Sequence, residues 1–250
     1  MNIAANRQWH AIPSILMLLA LWQAAAMIAG SRLFPTPVAV LDALRVEIAS
    51  GALLTHLGIS LARVAFSFVI AMIAGTALGL ALGRSAALDR WLHPWLVILL
   101  NVPALVIIIL TYVWLGLTET ALLVAVATNK IPSVAVTIRE GARALDRDYE
   151  EVAQVYRFGF VKNLREIVLP QLGPYLLAAA RNGLALVWKI VLVVELLGRS
   201  NGIGFQLQTY FQLFDVQRVV AYSAAFVVCV LMVEAILFLP FERAIGRWRR

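Results

Sequence analysis

The chain has 250 residues, of which 62% are hydrophobic and 14% charged, whereas a soluble domain has about half its residues apolar and about a quarter charged. This composition, with a mean hydropathy of +0.87, excludes an ordinary water-soluble fold. The formal net charge of +7 does not indicate a nucleic-acid partner, because the basic residues lie mostly between apolar stretches and at the termini, where they suit a bilayer with anionic headgroups.

Six apolar stretches are long enough to cross a bilayer as helices, which takes about 20 residues each. They predict an all-α integral membrane protein in which residues 1–250 form a single transmembrane domain. The predicted transmembrane helices are Pro13–Gly30, Leu57–Gly83, Pro94–Leu115, Thr120–Ile138, Leu172–Leu197 and Val219–Phe241. We expect the first one to be retained, because no small-residue cleavage site followed by a polar region ends it.

Between the first two spans, the sequence Pro35-Thr36-Pro37 precedes a stretch, Val38–Ile48, whose apolar residues follow helical spacing. This pattern predicts a short amphipathic helix at the membrane interface. Within the second span, Gly75, Gly79 and Gly83 recur every four residues. Such spacing favours close approach of a second membrane helix, and the alternative is glycine that faces lipid without a partner.

The distribution of Lys and Arg predicts the orientation of the chain in the membrane. If the N-terminus is cytoplasmic, the outside loops carry few basic residues, namely Arg32, Arg45, Arg199 and Arg218. Most of the others fall inside: Arg7, Arg84, Arg90, Arg139, Arg143, Arg147, Arg157, Lys162, Arg165, Arg243, Arg247, Arg249 and Arg250. Both termini are therefore predicted to be cytoplasmic.

The longest cytoplasmic segment, Arg139–Gln171, is also the most charged part of the chain. Its acidic residues come first and its basic residues later, which suits the dipole of a helix. The pattern predicts a short helix from Asp146 to Arg157, a turn near Gly159, a second short helix and a break at Pro170. A loop built from two helices favours a docking role over that of a passive linker.

One motif in this loop carries a family resemblance. The stretch Glu151-Val152-Ala153 is followed by Ile167-Val168-Leu169-Pro170. This resembles the cytoplasmic signature of binding-protein-dependent ABC importer permeases: EAA, three residues, glycine, nine residues, then I-x-L-P. Arg157 stands where the signature has glycine, with Gly159 the nearest glycine, and Val152 stands where it has alanine.

The resemblance extends from about Phe34 to Phe205. Several residues fall where permeases of the nitrate, sulfonate and taurine branch have similar ones: Pro170, Pro174, Arg181, Trp188, Glu195 and Gly202-Ile203-Gly204. Residues Asn101–Ile107 depart from that branch, which has a proline- and aromatic-rich segment there.

What the resemblance implies is a type I importer permease of the bacterial inner membrane. Its partners would be cytoplasmic ABC ATPase subunits, a periplasmic solute-binding protein and a second permease copy, as a homodimer in the lipid bilayer. ATP and Mg would be used by the ATPase, and the solute would be a small anion. The implied coupling residues are Glu151, Val152, Ala153, Arg157, Gly159, Ile167, Leu169 and Pro170.

The chain carries no recognisable catalytic or metal-binding motif. It lacks the G-x-x-x-x-G-K-[ST] phosphate loop, H-E-x-x-H and G-x-S-x-G, so we expect a transporter subunit that depends on a separate ATPase. His10, His56 and His93 have no metal-like spacing, and interfacial packing is expected for each. The single cysteine, Cys229, excludes an intrachain disulfide.

Ionisable residues inside the predicted spans are expected to face protein or water, because an intramembrane charge costs about 3 kcal/mol or more. These residues are Arg63, Lys130, Arg181, Lys189, Glu195 and Glu234. Lys130 and Lys189 are not typical of the resembled branch, which makes them candidates for contacting an anionic solute. The alternative is a buried ion pair of either lysine with Glu195. The candidate pathway residues are Asn129, Lys130, Arg181, Lys189 and Glu195.

Two other classes of protein remain alternatives. A secondary transporter driven by an ion gradient would usually have internal repeats, and none is visible in the sequence. A membrane enzyme would need a convergent catalytic set, which the sequence does not provide.

Overall fold

The computed structural model describes the backbone of residues 3–247 and the side chains of residues 13–146 and 148–237. The regular structure in this part of the chain is helical, without a strand, which confirms the predicted all-α fold. The helices are α1 Ile3–Ala29, α2 Pro37–Ala49, α3 Ala52–Arg84, α4 Ala86–Asn101, α5 Ala104–Leu115, α6 Glu119–Arg143, α7 Arg147–Val155, α8 Phe160–Asn163, α9 Leu169–Gly198, α10 Ile203–Gln212 and α11 Val216–Arg247. A π-helical turn, Leu164–Val168, joins α8 to α9.

Four helical segments among the described residues are long and apolar enough to cross a membrane. They are α3, α6, the continuous helix Phe160–Gly198, and Val216–Leu237 of α11. The apolar part of α1, Pro13–Ala29, is shorter, so six spans stay a prediction. Helix bounds do not fix which end faces the cytoplasm, so the cytoplasmic termini stay a prediction from the distribution of Lys and Arg. The basic side chains nearest the termini lie outside the described ones: Arg7, Arg243, Arg247, Arg249 and Arg250.

The third predicted span, Pro94–Leu115, is wrong as a single straight helix. The chain forms α4 and α5 there, and the pair is bent by 97°. Pro103 accounts for the break, because proline lacks an N–H group and disfavours helical dihedrals in the residue before it. Val102 accordingly has φ −70° and ψ 126°, and α5 begins after Pro103.

The amphipathic segment after the first span is a helix, as predicted. In α2 the Thr36 hydroxyl accepts a hydrogen bond from the Ala39 N–H at 3.2 Å, and Pro37 occupies the first turn. Val40 and Ala43 are buried against Ala221 of α11. α2 therefore packs on the protein through one face, and its interfacial location remains a prediction.

The glycine spacing in α3 marks a close contact with α6. A Cβ atom at Gly79 would lie 2.6 Å from the carbonyl oxygen of Ala135 and 2.8 Å from the Cβ of Ile138. Gly75 and Gly83 approach α6 in the same way, one turn before and one turn after. The alternative, glycines that face lipid, is therefore wrong, and the missing side chains let the two helices touch.

α6 is the central helix, with α3 on one side and α9 on another. Several of its side chains are completely buried: Ala121, Leu122, Ala125, Val126, Val134, Ala135 and Ile138. α9 runs antiparallel to α6, because Gly141 near the end of α6 meets Tyr175 near the start of α9, and Lys130 meets Gly183 farther along. The core between α3, α6 and α9 positions the charged residues described below.

The predicted break at Pro170 is wrong, because the helix continues through it. Pro170 lies in the first turn of α9, and the turn before it, Leu164–Val168, is π-helical. Proline cannot donate a backbone hydrogen bond, and its ring crowds the preceding turn. A wider π-helical turn accommodates such a residue without ending the helix.

The α3–α6 contact predicts that Gly79→Ala destabilises the protein. The added methyl group would collide with the α6 backbone, and overpacking of this kind costs about 1–3 kcal/mol. The measurement is thermal unfolding of the purified protein in detergent. Gly58→Ala on the same helix is the matched control, because no atom lies within 4 Å of the Cβ position there. Equal melting temperatures for the two variants would contradict the close contact.

Candidate functional site

The cytoplasmic loop that carries the motif contains a well-capped helix. α7 begins after Asp146, whose carboxylate accepts a hydrogen bond from the Asp148 N–H at 3.0 Å. Acidic residues in its first turn, Asp148 and Glu150, complement the helix dipole. The predicted helix from Asp146 to Arg157 is therefore present, although it ends at Val155. The loop is shorter than predicted, because its two ends belong to α6 and α9.

The motif residues divide between two faces. Ala153 is buried, as are Ile167 and the neighbouring Val168 of the π-helical turn, and α7 packs on that turn. Other motif positions are exposed, namely Glu151, Val152, Leu169 and Pro170. The alanine and the isoleucine of the signature therefore fix α7 to the rest of the chain, and the glutamate and the leucine remain accessible.

Arg157 explains why the signature has glycine at its position. The residue has φ +51°, in the left-handed region. The Phe158 N–H donates to the Ala153 carbonyl at 2.8 Å, and the Arg157 N–H donates to that of Gln154 at 3.0 Å. This is the Schellman arrangement that ends many helices, and glycine is favoured at its left-handed position. Gly159, in contrast, has φ −66° and needs no glycine.

The outward side of the loop carries several apolar residues among its charged ones. Val155 and Phe160 are both 78% exposed and Tyr156 is 72% exposed. Further exposed apolar residues of the loop are Tyr149, Val152 and Val161. We call these six residues the loop apolar surface. An exposed apolar surface within the most charged stretch of a chain indicates contact with a partner protein.

Polar contacts tie the loop to the helices beside it. Arg84 at the end of α3 forms an ion pair with Glu150 of α7 at 2.9 Å. The Asp146 N–H donates to the side-chain oxygen of Gln171 at 2.9 Å, which connects the start of α7 to α9. These contacts connect α7 to both α3 and α9.

A second cluster joins α4 to α6 near the same end of the helices. Asp89 accepts hydrogen bonds from Arg139 at 3.0 Å and from Arg143 at 2.6 Å. Arg139 also lies 2.9 Å from His93 Nδ1, and its guanidinium pairs with Glu140. The expected packing role of His93 therefore includes a polar contact with α6.

At the other end of the helices, a buried ion cluster surrounds Arg63. Its guanidinium donates to Glu195 at 2.8 Å, to Glu119 and to the Asn201 carbonyl at 2.8 Å. Arg63 is 5% exposed and Glu195 is completely buried. Arg199 also pairs with Glu119, so two cations and two carboxylates balance each other.

The Glu195 carboxylate lies at the N-terminus of α10. It accepts hydrogen bonds from the Ser60 hydroxyl at 2.8 Å and from the Gly204 N–H at 2.9 Å, while the Ile203 N–H donates to Ser60. A helix N-terminus favours an anion, and here the anion is part of the protein. A Cβ atom at Gly202, whose φ is +102°, would collide with this carboxylate. The turn after α9 is therefore built around Glu195.

Sequence reasoning missed this pairing because charge alone does not reveal which helices are neighbours. It found Arg63 and Glu195 as intramembrane charges, but the ion pair that it offered as an alternative joined Glu195 to a lysine. The ion pair proposed between Glu195 and Lys130 or Lys189 is wrong, because Glu195 pairs with Arg63. Ser60 and Arg63 lie one turn apart on α3 and therefore share one face of that helix. This shared polar face is the signal that could have indicated the partner of Glu195.

The two candidate lysines lie in different surroundings. Lys130 is 2% exposed, and its ammonium group donates to Ser133 at 3.2 Å. Asn129 beside it donates to the Ala125 carbonyl of its own helix at 2.8 Å. Lys189 and Arg181 are exposed on α9. The structure therefore does not bring the five candidate pathway residues together at one place.

Another buried carboxylate, Glu47, connects α2 to α11. It accepts hydrogen bonds from Tyr222 and from Arg218, both at 2.8 Å. Tyr210 of α10 lies 3.4 Å away, and burial raises the pKa of the Tyr210 hydroxyl, with the Glu47 charge adding to the effect. Sequence reasoning did not single out these residues, because Glu47 lies in a segment that reads as an amphipathic helix.

The described residues contain no group of three or more His, Cys, Asp or Glu side chains that could hold a metal ion. His56, the histidine nearest the Arg63 cluster, accepts a hydrogen bond from the Gly202 N–H at 3.0 Å and contacts Gln206 at 2.6 Å. It serves as a hydrogen-bonding partner for the turn before α10.

Comparisons with known proteins agree with the motif. The family described as "Binding-protein-dependent transport system inner membrane component" matches residues 67–244. The putative aliphatic sulfonates transport permease protein SsuC of Bacillus subtilis (strain 168) is 28% identical over 235 residues, covering 93% of this chain and 85% of that protein. The protein of the same description from Escherichia coli (strain K12) is 32% identical over 194 residues, 75% of this chain and 72% of that one.

A third relative, the nitrate import permease protein NrtB of Synechocystis sp., is 29% identical over 201 residues, covering 77% of this chain and 73% of that protein. A solved structure described as an amino acid ABC transporter with histidines has a TM-score of 0.62 at 20% identity. The match covers 80% of this chain and 97% of that one. At this identity the likeness concerns the fold alone.

The left-handed conformation of Arg157 predicts that Arg157→Gly stabilises the loop by about 1 kcal/mol, because a non-glycine residue bears a steric cost of that size there. Amide hydrogen exchange of α7 in the purified protein measures the effect, and we expect slower exchange. Gly159→Ala is the control, because its φ is −66° and no atom lies within 4 Å of the added carbon. Faster exchange in Arg157→Gly would show that the arginine side chain, rather than the backbone, holds the turn.

The buried cluster predicts a large loss of stability for Arg63→Met. Removal of the guanidinium leaves Glu195 charged and without its cation, which costs about 3–5 kcal/mol. The yield of monodisperse protein and its melting temperature measure the loss. Arg45→Met is the control, because the Arg45–Asp42 pair is exposed and should contribute little. We expect Glu195→Gln in the Arg63→Met background to recover part of the loss, and equal stability of the two single variants would contradict the clustering.

Proposed function

This chain belongs to the family of binding-protein-dependent transport system inner membrane components, and on that premise we propose that it carries a small anion through the inner membrane. It is a permease subunit of an ABC importer and not a freestanding carrier. The observation that supports this role most directly is α7, a capped helix that presents an apolar surface on the loop bearing the signature.

The family implies ATPase and binding-protein partners, and we propose how they share the work. Two cytoplasmic ATPase subunits would use ATP and Mg, since this sequence has no phosphate loop. A periplasmic binding protein would deliver the solute to a homodimer of this chain. Both termini would be cytoplasmic, as the distribution of Lys and Arg predicts.

Coupling would work through the loop apolar surface. A short amphipathic helix with a protruding apolar side can occupy a groove on a partner protein. When the ATPases close on ATP, the groove would displace α7. The ion pair of Arg84 with Glu150 and the packing of Ala153 on the π-helical turn would pass that displacement to α3 and α9. The pathway would then open outward to receive solute and return inward after hydrolysis.

The anionic cargo is supported by the names of the relatives. They are described as permeases for aliphatic sulfonates, nitrate, taurine and bicarbonate, which share an oxyanion group. The selectivity among such anions would belong mostly to the binding protein. The permease would need only to favour negative charge.

The coupling role predicts that Val155→Asp abolishes co-purification with the ATPase. The carboxylate would have to be buried in the apolar groove, at a cost that a weak helix-in-groove contact cannot offset. Since Val155 is 78% exposed in the isolated chain, insertion and folding should be unchanged. The measurement is the amount of ATPase retained on affinity-purified permease.

Phe211→Asp is the matched control, because Phe211 is similarly exposed but lies on α10 at the opposite end of the helices. It should retain the ATPase. We also expect Glu151→Lys to insert normally and to lose transport, because it reverses a charge on the accessible face of the signature. Normal substrate-stimulated ATP hydrolysis in Glu151→Lys would reject the coupling role of that residue.

A further inference from the structure

One face of α9 is left uncovered by the side chains that the structure describes. Its exposed residues recur every three or four positions, as expected for one side of a helix. They are Ala178, Asn182, Leu186, Lys189, Val193 and Leu196, which we call the α9 stripe. The opposite side of the same helix is buried in the core, through residues such as Gly183, Val187 and Val191.

Lys189 lies deep within the membrane on this stripe. It is nine residues before Gly198, the last residue of α9, which corresponds to about 14 Å along the helix axis. The hydrocarbon core of a bilayer is about 30 Å thick, so an α9 that ends at the membrane boundary places the ammonium group inside that core. No carboxylate among the described residues pairs with Lys189. A lysine exposed to lipid at such depth costs about 3 kcal/mol, so this face is expected to meet water or protein instead.

The uncovered faces of the other spans have a different character. The exposed residues of α3 between positions 61 and 81, those of α5, and those of α11 between 224 and 237 are all apolar. Val69, Ile109 and Val228 are examples. These faces can contact lipid at no electrostatic cost. Of the spans that the structure describes, only α9 exposes a charge near the middle of its apolar length, that of Lys189.

We propose that the α9 stripe lines a water-filled pathway and that Lys189 binds the anionic group of the solute there. This inference rests on the proposed function and deepens it by naming the residue that selects for negative charge. A lysine ammonium group acts as a point charge, without the fixed planar fork of arginine. It would therefore attract sulfonate, nitrate or carboxylate alike and discriminate by charge rather than by shape.

Lys130 has a different role in this arrangement. Its side chain crosses to α9 at Gly183, where a Cβ atom would lie 3.1 Å from the Lys130 Cε atom. Gly183 belongs to the buried side of α9, away from the stripe, and Lys130 is itself buried. Lys130 therefore provides a matched control, since it is an intramembrane lysine of the same charge that does not face the proposed pathway.

The test uses cysteine labelling in the full chain, co-expressed with its ATPase, in a Cys229→Ala background. Leu186→Cys places a thiol on the stripe one turn from Lys189, and Val69→Cys and Val228→Cys place thiols on the apolar faces. The probes are two methanethiosulfonate reagents of similar size, one bearing a sulfonate and one a trimethylammonium group. They react with the ionised thiol and therefore only where water reaches it.

We expect labelling at Leu186→Cys and none at the two control positions. The ratio of the anionic to the cationic labelling rate should fall roughly tenfold when Lys189→Met is added, because a nearby positive charge favours one probe and repels the other. The same ratio should change little with Lys130→Met. An unreactive thiol at Leu186→Cys would mean that lipid or a second copy covers the stripe, and would overturn the proposal.

Two further outcomes would also overturn the proposal. A labelling-rate ratio that is insensitive to Lys189→Met would reject the anion site. An equal fall of the ratio with Lys130→Met would show that the probes sense the overall electrostatic field of the protein rather than a local contact with Lys189. Failure of the proposed function is distinguishable. Loss of ATPase co-purification with labelling at Leu186→Cys intact would reject the ATP-driven importer and leave the anion site standing. Retained ATPase co-purification without that labelling would reject only the anion site.

Discussion

A bilayer offers no water to a charge, so a charge within the spans must find either a partner or a water-filled cavity in the protein. The Arg63–Glu195 ion pair meets this requirement and organises what surrounds it. Arg63 comes from α3, Glu119 from the start of α6, and Glu195 from the end of α9, with the turn before α10 wrapped over the carboxylate. The three helices of the core are held in register at this end by one neutral cluster.

Much of the fold could be predicted from the sequence, because its signals are local. Hydrophobic length identified the four spans α3, α6, α9 and α11. The spacing of Gly75, Gly79 and Gly83 predicted a close contact with another helix, which the fold shows to be α6. The bend at Val102–Pro103 was missed, although Pro103 is visible, since the apolar run continues through it. The partner of Glu195 could not be predicted, because Ser60 and Arg63 lie more than a hundred positions away and only tertiary packing brings them together.

The loop that bears the signature shows how a departure from a signature can leave its geometry intact. Arg157 adopts the left-handed conformation that the family's glycine would adopt freely, and the hydrogen bonds of the turn are all present. The local steric cost is about 1 kcal/mol, which the packing of Ala153 and Ile167 on the core offsets. The spacing of the signature residues was enough to identify the loop from the sequence. The division of those residues into buried and exposed faces could be seen only in the fold.

The π-helical turn before Pro170 has a mechanical consequence. Because the helix is not interrupted there, Phe160–Gly198 forms a single rod of 39 residues, about 58 Å long. One end carries part of the loop apolar surface and the other ends in the Glu195 cluster. If this continuous helix tilts as one body it acts as a lever, so that tilting its cytoplasmic end one way moves its outer end the other way. The two ends of the α9 stripe would then open in turn and never together, which is the geometric condition for transport without a leak.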